Sequence, residues 1–310
     1  MPLEANTEAN EPKTRAGFVA ILGAPNAGKS TLVNFLVGQK VTIVSRKVQT
    51  TRFPVRGVFI HNDSQIVLVD TPGVFEPRRR LDRAMVQSAW GGAADADALV
   101  HVVDVAAQKN HADDTDRVIE GLKKANRKAL LVLNKIDLLE RQVLLEMAET
   151  LFATGVYTAV FMIAATRGDG VDKLADAMAL AVPEGPFLYP ADQVADLPTR
   201  LLAAEITREK VFERLHDELP YEMTVETETW TEKKDGSVKI DQTIYVSRDG
   251  QKGIAIGEGG ATLKWIGQAA RLEMTELLGR KVHLFLHVKV RSGWLDERAR
   301  YTAIGLDFDV

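Results

Sequence analysis

The fold of this chain is decided by residues 18–31, which read FVAILGAPNAGKST. The apolar run at residues 18–22 predicts a buried strand, and the residues after it fit the pattern G-x-x-x-x-G-K-[ST]. In that pattern glycine leaves room for backbone N–H groups to close around an anion, and the start of the following helix adds partial positive charge. Residues 23–31 therefore predict a loop that binds phosphate groups.

Two side chains of this loop have roles that follow from their chemistry. Lys29 is expected to reach the β- and γ-phosphates as a point charge, and the Ser30 hydroxyl is expected to ligate Mg²⁺. The alternative for the same pattern is a tight strand-to-helix turn with an exposed lysine. The predicted phosphate-binding residues are Gly23, Ala24, Pro25, Asn26, Ala27, Gly28, Lys29, Ser30 and Thr31.

Short apolar runs alternate with amphipathic stretches around this loop, at residues 18–22, 66–69, 99–103, 130–133 and 160–163. Such runs suit strands buried on both faces, and the segments between them are long enough for crossover helices. One further run, 55–60, is separated from the next strand by a short polar turn, which predicts an antiparallel hairpin at one sheet edge. We expect an α/β fold of the P-loop NTPase type, with a mixed, mostly parallel sheet and helices on both faces.

Two further motifs stand at the ends of predicted strands. The sequence DTPG at 70–73 lies at the edge where open α/β sheets bind ligands, so Asp70 is expected to hold Mg²⁺ through water and the Gly73 N–H to contact the γ-phosphate. The sequence NKID at 134–137 places a carboxylate, Asp137, that can accept two hydrogen bonds from the N1–H and N2–H₂ groups of guanine. Adenine lacks this donor pair, and an unsatisfied carboxylate would cost about 1 to 3 kcal/mol. The predicted ligands are GTP and GDP, with contacts from Asp70, Thr71, Pro72, Gly73, Asn134, Lys135, Ile136 and Asp137.

The composition sets limits on compartment and partners. The chain has 310 residues, no cysteine and a net charge of −4. The lack of cysteine excludes disulfides, thiolate nucleophiles and cysteine-ligated metals and suits a reducing compartment, while the net charge means that a nucleic acid must be met by a local basic patch. No apolar run approaches the roughly 18 residues that a membrane-spanning helix needs. We expect a cytoplasmic monomer, and peripheral attachment to the inner face of the cell membrane is left open.

Changes in composition divide the chain into four parts. The first residues are polar and interrupted by prolines, which predicts disorder. Four prolines and a glycine crowd a stretch after residue 182 and exclude both helix and inner strand there. The expected parts are a disordered tail at 1–16, a nucleotide-binding domain at 17–182, a linker at 183–198 and a smaller α+β domain at 199–310.

The second domain contains a glycine-rich turn between two predicted helices. Residues 257–260 read GEGG and join a short helix-like segment to a helix at 261–278. A G-x-x-G turn in this position is the mark of the KH module, where it clamps about four nucleotides of single-stranded RNA. The tetrapeptide alone is weak evidence, but the surrounding order α-β-β-α-α-β is that of a type II KH domain.

The distribution of charge indicates where RNA would bind. Residues 251–300 carry nine basic and five acidic side chains, although Glu258 places a carboxylate beside the expected phosphate backbone. The polar side of the last predicted strand, 282–290, could face either RNA or water. The predicted RNA-binding residues are Gly257, Glu258, Gly259, Gly260, Lys252, Lys264, Arg271, Lys289 and Arg291.

Taken together, these motifs resemble those of the Era family, within the translation-factor-related GTPases. The resemblance spans nearly all of residues 17–310 and rests on segments at 23–31, 49–52, 70–73, 134–137, 219–221 and 288–294. It implies GTP hydrolysis coupled to binding of the 3′ region of small-subunit (16S) ribosomal RNA and to assembly and maturation of the 30S subunit. Two other interpretations stay open: an RNA-binding sensor of the GTP:GDP ratio without useful turnover, and a GTPase of RNA modification, whose usual catalytic cysteine this chain lacks.

The resemblance also implies roles for individual residues. Thr51 corresponds to the switch threonine that meets Mg²⁺ and the γ-phosphate, so the nucleotide state would set the shape of residues 45–54 and 73–90; two solvated loop threonines are the alternative. Asn26 is similar to the asparagine of relatives that recruit K⁺ beside the phosphates. The implied Mg²⁺ ligands are Ser30, Thr51 and Asp70, and the implied catalytic residues are Lys29, Thr51, Gly73 and Asn26.

Two positions, Ala164 and Val48, depart from the family pattern, and Val74 differs from other GTPases. Val74, a predicted contact of GTP, stands where many signalling GTPases carry a water-positioning glutamine, so slow intrinsic turnover is expected. Ala164 replaces the serine that usually precedes Ala165, whose backbone N–H is still expected to donate to guanine O6. Val48 replaces a proline that often precedes residues 49–52, which is expected to loosen that loop.

Overall fold

The computed structural model describes residues 14–108, 112–216 and 219–310. In the first domain the predicted apolar runs are strands, and helices connect them. The strands are β1 (Arg15–Leu22), β2 (Val55–His61), β3 (Ser64–Asp70), β4 (Ala98–Asp104), β5 (Ala129–Asn134) and β6 (Tyr157–Ile163). The helices are α1 (Lys29–Val37), α2 (Arg80–Asp95), α3 (Ala112–Lys124), α4 (Arg141–Phe152) and α5 (Val171–Ala181).

The strand order of the first sheet is β2-β3-β1-β4-β5-β6. Strand β2 is antiparallel to β3, and the other neighbouring pairs are parallel. The predictions of a mixed, mostly parallel sheet and of a hairpin at one edge are therefore confirmed. Strand β1 lies between β3 and β4, and the strand order reverses there. Open α/β sheets bind ligands at the carboxyl end of the strands at such a reversal.

Alternate residues of β1 face opposite layers of helices. Val19 and Ile21 pack with α1 and α5 on one face, and Ala20 and Leu22 pack with α2, α3 and α4 on the other. All four side chains are fully buried. Because successive strand residues point to opposite faces, this burial requires helices on both sides, as predicted.

The first strand begins earlier than the predicted domain boundary. Strand β1 starts at Arg15, whose N–H donates to Asp63 O at 3.1 Å, and the Ala16 N–H donates to Pro183 O at 3.0 Å. The predicted disordered tail is therefore wrong for Arg15 and Ala16, because backbone pairing orders residues that composition alone marks as polar and weakly apolar. Residues 1–13 of that predicted tail lie outside the described residues.

Residues 183–198, between the two domains, contain neither helix nor strand but are bonded to the hairpin of the first domain. The Val58 N–H donates to Val194 O at 2.9 Å. The side chain of Gln65 makes two hydrogen bonds to the backbone of Tyr189: Nε2 donates to Tyr189 O at 2.8 Å, and Oε1 accepts from the Tyr189 N–H at 2.9 Å. This segment is therefore held against the first domain by hydrogen bonds rather than being a free linker.

The second domain has the α-β-β-α-α-β order of a type II KH domain, which confirms the predicted fold. Its elements are α6 (Thr199–Arg214), β7 (Met223–Glu232), β8 (Val238–Val246), α7 (Asp249–Ile256), α8 (Ala261–Leu278) and β9 (Val282–Val290). The sheet order is β7-β8-β9, with the first pair antiparallel and the second parallel. Ile266, Ala270 and Met274 form the buried face of α8, because positions four residues apart share one side of a helix.

A short helix after the second sheet returns to the first domain. Helix α9 (Arg298–Ala303) was not indicated by the sequence patterns. Tyr301 of this helix and Leu306 share a buried cluster with Leu81 and Met85 of α2. The end of the described chain thus fixes α2 to the second domain. Across residues 14–108, 112–216 and 219–310, no helix combines the length and the apolar character needed to cross a membrane.

A buried histidine lies in the centre of the first sheet. His101 on β4 is fully buried, and its Nδ1 lies 2.8 Å from the Tyr157 hydroxyl oxygen. Burial, with a smaller contribution from the Lys29 charge, lowers the pKa of His101 to about 3. The ring is therefore neutral in the folded protein at the pH near ~6.5 where an unfolded histidine titrates.

We predict that His101 makes the protein less stable as the pH falls. The unfolded chain binds a proton at this ring below pH ~6.5 and the folded chain does not, so its effect on unfolding free energy is about 1.4 kcal/mol per pH unit below that value and vanishes above it. His101→Asn keeps a polar atom near Tyr157 but cannot titrate, so this part of the slope should disappear. Urea unfolding between about pH 5 and pH 7.5 measures the slopes, and equal slopes for the two proteins would contradict the prediction.

Candidate functional site

The loop at residues 23–30 has the geometry that phosphate binding by backbone groups requires. Gly23 and Gly28 have φ angles of 148° and 94°. A Cβ at Gly23 would lie 2.3 Å from Val102 O, and one at Gly28 would lie 2.2 Å from Asn134 Nδ2, so larger residues do not fit. Helix α1 begins directly after the loop, and the N–H groups of its first turn are available to an anion.

A cavity of about 1030 Å³ lies over this loop and is walled by both domains. Its size is sufficient for a nucleoside triphosphate. The predicted GTP-binding residues that line it are Pro25, Asn26, Gly28, Lys29, Ser30, Thr31, Gly73 and Lys135, together with the predicted Mg²⁺ ligand Thr51. The others, which are Gly23, Ala24, Ala27, Asp70, Thr71, Pro72, Val74, Asn134, Ile136, Asp137 and Ala165, lie outside this lining.

Lys29 is a buried cation in the wall of the cavity. It is 5% exposed, and its Nζ donates to Gly23 O at 3.1 Å and to Ala24 O at 2.9 Å. Burial lowers the pKa of Lys29 to about 8, and the Asp70 carboxylate opposes that shift. An anion in the loop would stabilise the charged form of this lysine. The arrangement supports the predicted role of Lys29 in phosphate binding.

Hydroxyl groups converge on Asp70 at the end of β3. The side chain is fully buried, and Oδ2 accepts from Ser30 Oγ at 2.7 Å and from Thr51 Oγ1 at 3.4 Å. Thr42, which the sequence patterns did not indicate, donates to the same oxygen at 2.9 Å. Burial raises the pKa of Asp70, and the Lys29 charge and these hydroxyl groups oppose the shift.

This cluster fits Mg²⁺, which the GTPase fold implies. Asp70 Oδ1 is buried and has no hydrogen-bond partner among the described residues, an arrangement that is costly unless a cation or a donor meets it. Ser30 Oγ lies 3.0 Å from Thr51 Oγ1. Magnesium binds hydroxyl, carboxylate and water oxygens. Ser30, Thr51 and Asp70, the predicted ligands, are thus brought together at one point.

Residues 45–54 form no helix or strand, yet their two central threonines are buried. Thr50 is 9% and Thr51 is 8% exposed, so the alternative of two solvated loop threonines is wrong. Gln49 has a φ of 57°, and its Nε2 donates to Asp82 Oδ1 at 3.2 Å. Because Asp82 lies in the first turn of α2, this bond connects residues 45–54 with the helix that follows the DTPG motif.

The DTPG motif packs closely against the phosphate loop. A Cβ at Gly73 would lie 2.8 Å from Pro25 N, which explains why glycine stands there. The Val74 N–H donates to Gly23 O at 3.0 Å. The Val74 side chain is 2% exposed and belongs to the apolar core. Position 74 therefore supplies no group that could orient water.

Asn134 connects three loops at the other end of the site. Its Nδ2 donates to Ala27 O at 2.8 Å, and its Oδ1 accepts from the Lys135 N–H at 2.9 Å and from the Ala165 N–H at 3.1 Å. Lys135 Nζ returns to the phosphate loop and donates to Asn26 O at 3.0 Å. The Ala165 N–H, which was expected to donate to guanine O6, is thus directed at Asn134 in this structure.

Asp137, the predicted guanine-binding residue, lies in a 3₁₀ turn directly after Lys135. Its side chain is 19% exposed, and its Oδ2 lies 3.3 Å from Arg167 Nη2. Thr166, next to that arginine, lines the cavity together with Lys135. Asp137 therefore lies close in sequence to a residue of the lining, Lys135, and a base bound to its carboxylate would share it with Arg167.

Several residues of the site lie outside the sequence motifs. Asp104 pairs with Lys135, and its position at the carboxyl end of a strand is a signal that could have found it. Thr42 lies between two motifs in an irregular segment. Phe212 and His216 of the second domain also line the cavity. These last three reach the site through tertiary packing, which no local pattern reports.

The glycine-rich turn of the second domain joins α7 to α8. Gly257, Gly259 and Gly260 have φ angles of 75°, 57° and 79°, in the region that favours glycine. A Cβ at Gly257 would lie 2.3 Å from Thr262 Oγ1, whereas a Cβ at Gly259 or Gly260 would meet open space. Glu258 between them is exposed. The outer part of the turn is therefore accessible to a partner.

Not all of the predicted cationic residues lie near this turn. Lys252 on α7 and Lys264 in the first turn of α8 flank it. Lys289 and Arg291 are exposed at the end of β9. Arg271 lies about 16 Å along α8 from the turn, at 1.5 Å per residue. The structure thus separates Arg271 from the others.

The geometry is that of a GTPase domain joined to a domain of a type that binds RNA. Residues 18–135 match the family model described as a 50S ribosome-binding GTPase. Residues 218–295 match the model of the KH domain. The class of protein is therefore a two-domain GTPase with a C-terminal KH domain.

Known proteins resemble the chain over nearly its whole length. GTPase Era of Caulobacter vibrioides (strain NA1000 / CB15N) is 62% identical over 310 residues, which cover 96% of this chain and 98% of the relative. GTPase Era of Maricaulis maris (strain MCS10) is 57% identical and covers 97% of this chain and 100% of its own. The crystal structure of an Aquifex aeolicus Era variant bound to GDP and AlF4⁻ has a TM-score of 0.88 at 36% identity, covering 94% of this chain and 99% of that chain. The chain belongs to the Era family of GTPases.

We predict that Asp137→Asn exchanges preference for guanosine nucleotides with preference for xanthosine nucleotides. The carboxamide cannot accept both guanine donors, but its N–H₂ can donate to the extra carbonyl of xanthine, so GTP affinity should fall on the order of 100-fold. Competition of GTP and XTP against a fluorescent GDP analogue measures the change. Asp63→Asn, at an exposed turn between β2 and β3, is the matched control. Retained guanine preference in Asp137→Asn would refute the base assignment.

Proposed function

We propose that this chain is a nucleotide-switched assembly factor of the 30S subunit, which hydrolyses GTP and binds the 3′ region of 16S ribosomal RNA. The observation that carries the proposal is the union, in one chain, of the clustered GTP site and an accessible G-x-x-G turn in a type II KH domain. A structure of Era in complex with MgGDPNP and nucleotides 1506–1542 of 16S ribosomal RNA supports it, with a TM-score of 0.87 and 36% identity over 94% of this chain. The cytoplasm, where ribosomal subunits are assembled, is the proposed location.

In the proposed reaction, this chain's residues bind and orient the triphosphate. The loop at 23–30 surrounds the phosphates with N–H groups, and Lys29 adds a positive charge beside the β- and γ-phosphates. Ser30 and Thr51 would hold Mg²⁺ directly and Asp70 through water; the bound ion offsets the negative charge on the phosphates. The Gly73 N–H would contact the γ-phosphate.

The attacking water must be oriented by groups other than residue 74. Because Val74 is buried in the core, the remaining candidates are backbone groups around Gly73 and Thr51. Without a side chain at position 74 that orients water, intrinsic turnover is slow, and a second cation beside Mg²⁺ would assist hydrolysis. Asn26 lies in the loop, and its Nδ2 donates to Arg46 O at 2.9 Å, which places this side chain beside residues 45–54. Its other amide atom, Oδ1, is an oxygen of the kind that suits K⁺, which we propose as an additional cofactor.

We predict that K⁺ accelerates GTP hydrolysis relative to Na⁺ at equal ionic strength. The increase should be roughly tenfold or more, because a cation beside the phosphates supplies part of the charge that an arginine finger supplies elsewhere. Single-turnover hydrolysis in the two salts measures it, and Asn26→Ala should remove the difference. Equal rates in both salts would exclude K⁺ as a cofactor. A GTP:GDP sensor without useful turnover would show no stimulated hydrolysis in either salt.

The proposed RNA surface is centred on the turn at 257–260. Positive charge around or beyond this turn comes from Lys252, Lys264, Lys289 and Arg291. Arg271 adds positive charge farther from the turn. Two carboxylates oppose them: Glu258 lies within the turn, and Glu297 accepts from Arg291 Nε at 2.6 Å. Backbone contacts at the open glycines therefore have to supply much of the affinity.

We predict that Gly259→Asp abolishes RNA binding and leaves GTP binding intact. Aspartate tolerates the left-handed conformation and would meet open space there, so the fold is kept while a carboxylate is placed against the RNA phosphates. Filter binding of an RNA that ends in the 16S 3′ sequence should show a loss of about tenfold or more. Gly236→Asp is the matched control, because it also has a positive φ and open space but lies in the β7–β8 turn. If RNA affinity is kept in Gly259→Asp, the contact surface lies elsewhere.

A further inference from the structure

Arg208 is a charged side chain buried at the contact between the two domains. It lies on α6 and is only 2% exposed. Its Nη2 donates to the backbone oxygen of Thr50, in the segment 45–54. On its own helix, its Nε donates to Glu205 Oε1 at 2.7 Å, and its Cζ lies 5.2 Å from the centre of the Phe212 ring. A buried guanidinium is costly unless it is paired and bonded, so these partners fix its position.

Three further hydrogen bonds connect the same helix with residues 44 and 47, in and next to the segment 45–54. Glu209 Oε1 accepts from the Val44 N–H at 2.8 Å. Lys47 Nζ donates to Phe212 O at 2.5 Å and to Leu215 O, at the C-terminal end of α6, where the helix dipole favours a cation. Successive turns of α6 thus hold the chain at residues 44, 47 and 50.

The hydrogen bond from Arg208 to Thr50 also constrains Thr51, through the planar peptide unit between the two threonines. The peptide bond between Thr50 and Thr51 is planar, so a bond that fixes the Thr50 oxygen also fixes where the Thr51 backbone starts. The Thr51 hydroxyl in turn lies 3.0 Å from Ser30 Oγ and 3.4 Å from Asp70 Oδ2. A continuous path of contacts therefore runs from Arg208 to the Mg²⁺ ligands.

We infer that Arg208 is a positioning residue for GTP hydrolysis, which acts across the domain contact by holding Thr51 at the Mg²⁺ site. The inference rests on the proposed role of Thr51 in binding Mg²⁺. Among the described residues, Arg208 donates to Thr50 and Glu205 and not to Ser30, Thr51 or Asp70. Its effect therefore belongs to the state in which residues 45–54 close over Mg²⁺ and the γ-phosphate, and GDP binding, which uses the loop at 23–30 and the NKID motif, is independent of it.

The experiment compares Arg208→Ala and Arg208→Lys with Arg200→Ala. Arg200 is an exposed residue of the same helix, and it donates to Thr227 O and Glu228 O within the second domain. Single-turnover hydrolysis should fall about tenfold or more in Arg208→Ala, the loss expected for one charge-assisted hydrogen bond. The Mg²⁺ concentration for half-maximal rate should rise, and GDP affinity should stay within about twofold of the parent protein. Arg208→Lys should recover part of the rate, and Arg200→Ala should match the parent.

A second pair of variants tests the same contact from the other side if Arg208→Ala does not fold. Lys47→Met removes the bonds to the α6 carbonyl groups without disturbing the buried part of that helix. Lys124→Met removes an equal charge from an exposed residue of α3 that does not line the cavity, and so controls for a general charge effect. A slower rate and a raised Mg²⁺ requirement in Lys47→Met alone support the inference.

Two results would overturn the inference. One is an unchanged rate and Mg²⁺ requirement in folded Arg208→Ala or in Lys47→Met while the parent protein is active. The other is a loss of GDP affinity in step with the rate, which would show that Arg208 only supports the fold. Failure of the proposed function looks different, because the parent protein itself would then show no Mg²⁺-dependent hydrolysis.

Discussion

The burial of two opposite charges, Lys29 and Asp70, is the constraint on which the site depends. Burial lowers the pKa of the lysine and raises the pKa of the aspartate, and each charge opposes the shift of the other. Charges removed from water need partners, and the loops above the sheet supply them as carbonyl and hydroxyl groups. The close approach of those loops requires glycine at positions 23 and 28. A triphosphate with Mg²⁺ brings the complementary charges, so the burial that is costly for these two side chains favours the ligand.

The parts of this arrangement that were predictable are those imposed by neighbours in sequence. The loop at 23–30 and the buried strand before it follow from steric rules that act within a few residues, and the α-β-β-α-α-β order follows from periodicity. Arg208 shows the limit of that reasoning: an arginine on an amphipathic helix is expected to be exposed, and only the position of Thr50 explains its burial. Arg15 was misjudged for a related reason, since its backbone partner is distant in sequence.

The two segments that were predicted to change shape with the nucleotide, 45–54 and 73–90, both pack on the second domain, at different places. Residues 45–54 are held by α6, whereas α2 is held by the C-terminal residues. There Phe308 lies between two guanidinium groups, with Arg80 Cζ at 4.2 Å and Arg298 Cζ at 4.9 Å from the ring centre. Cation–π contacts of this kind contribute about 0.5 to 1 kcal/mol each at exposed sites. They add to the shared apolar cluster around Tyr301, so neither segment can move without loss of contacts to the second domain.

This double attachment has a thermodynamic consequence for the proposed function. If the triphosphate favours the arrangement in which α6 holds residues 45–54, then a partner that binds the second domain only in that arrangement must raise triphosphate affinity by the same factor, because coupling between two binding sites is reciprocal. The size of the coupling is limited by the contacts that differ between arrangements. The buried bond from Arg208 to the Thr50 oxygen is a strong candidate, since it is charge-assisted and shielded from water. Buried Arg52 makes a second bond of this kind, from its Nη1 to Met223 O at 3.0 Å. The exposed contacts around Phe308 contribute less and weaken with salt where they are ionic. Coupling between RNA and nucleotide would therefore be concentrated where residues 45–54 meet α6 and β7 rather than spread over the whole interface.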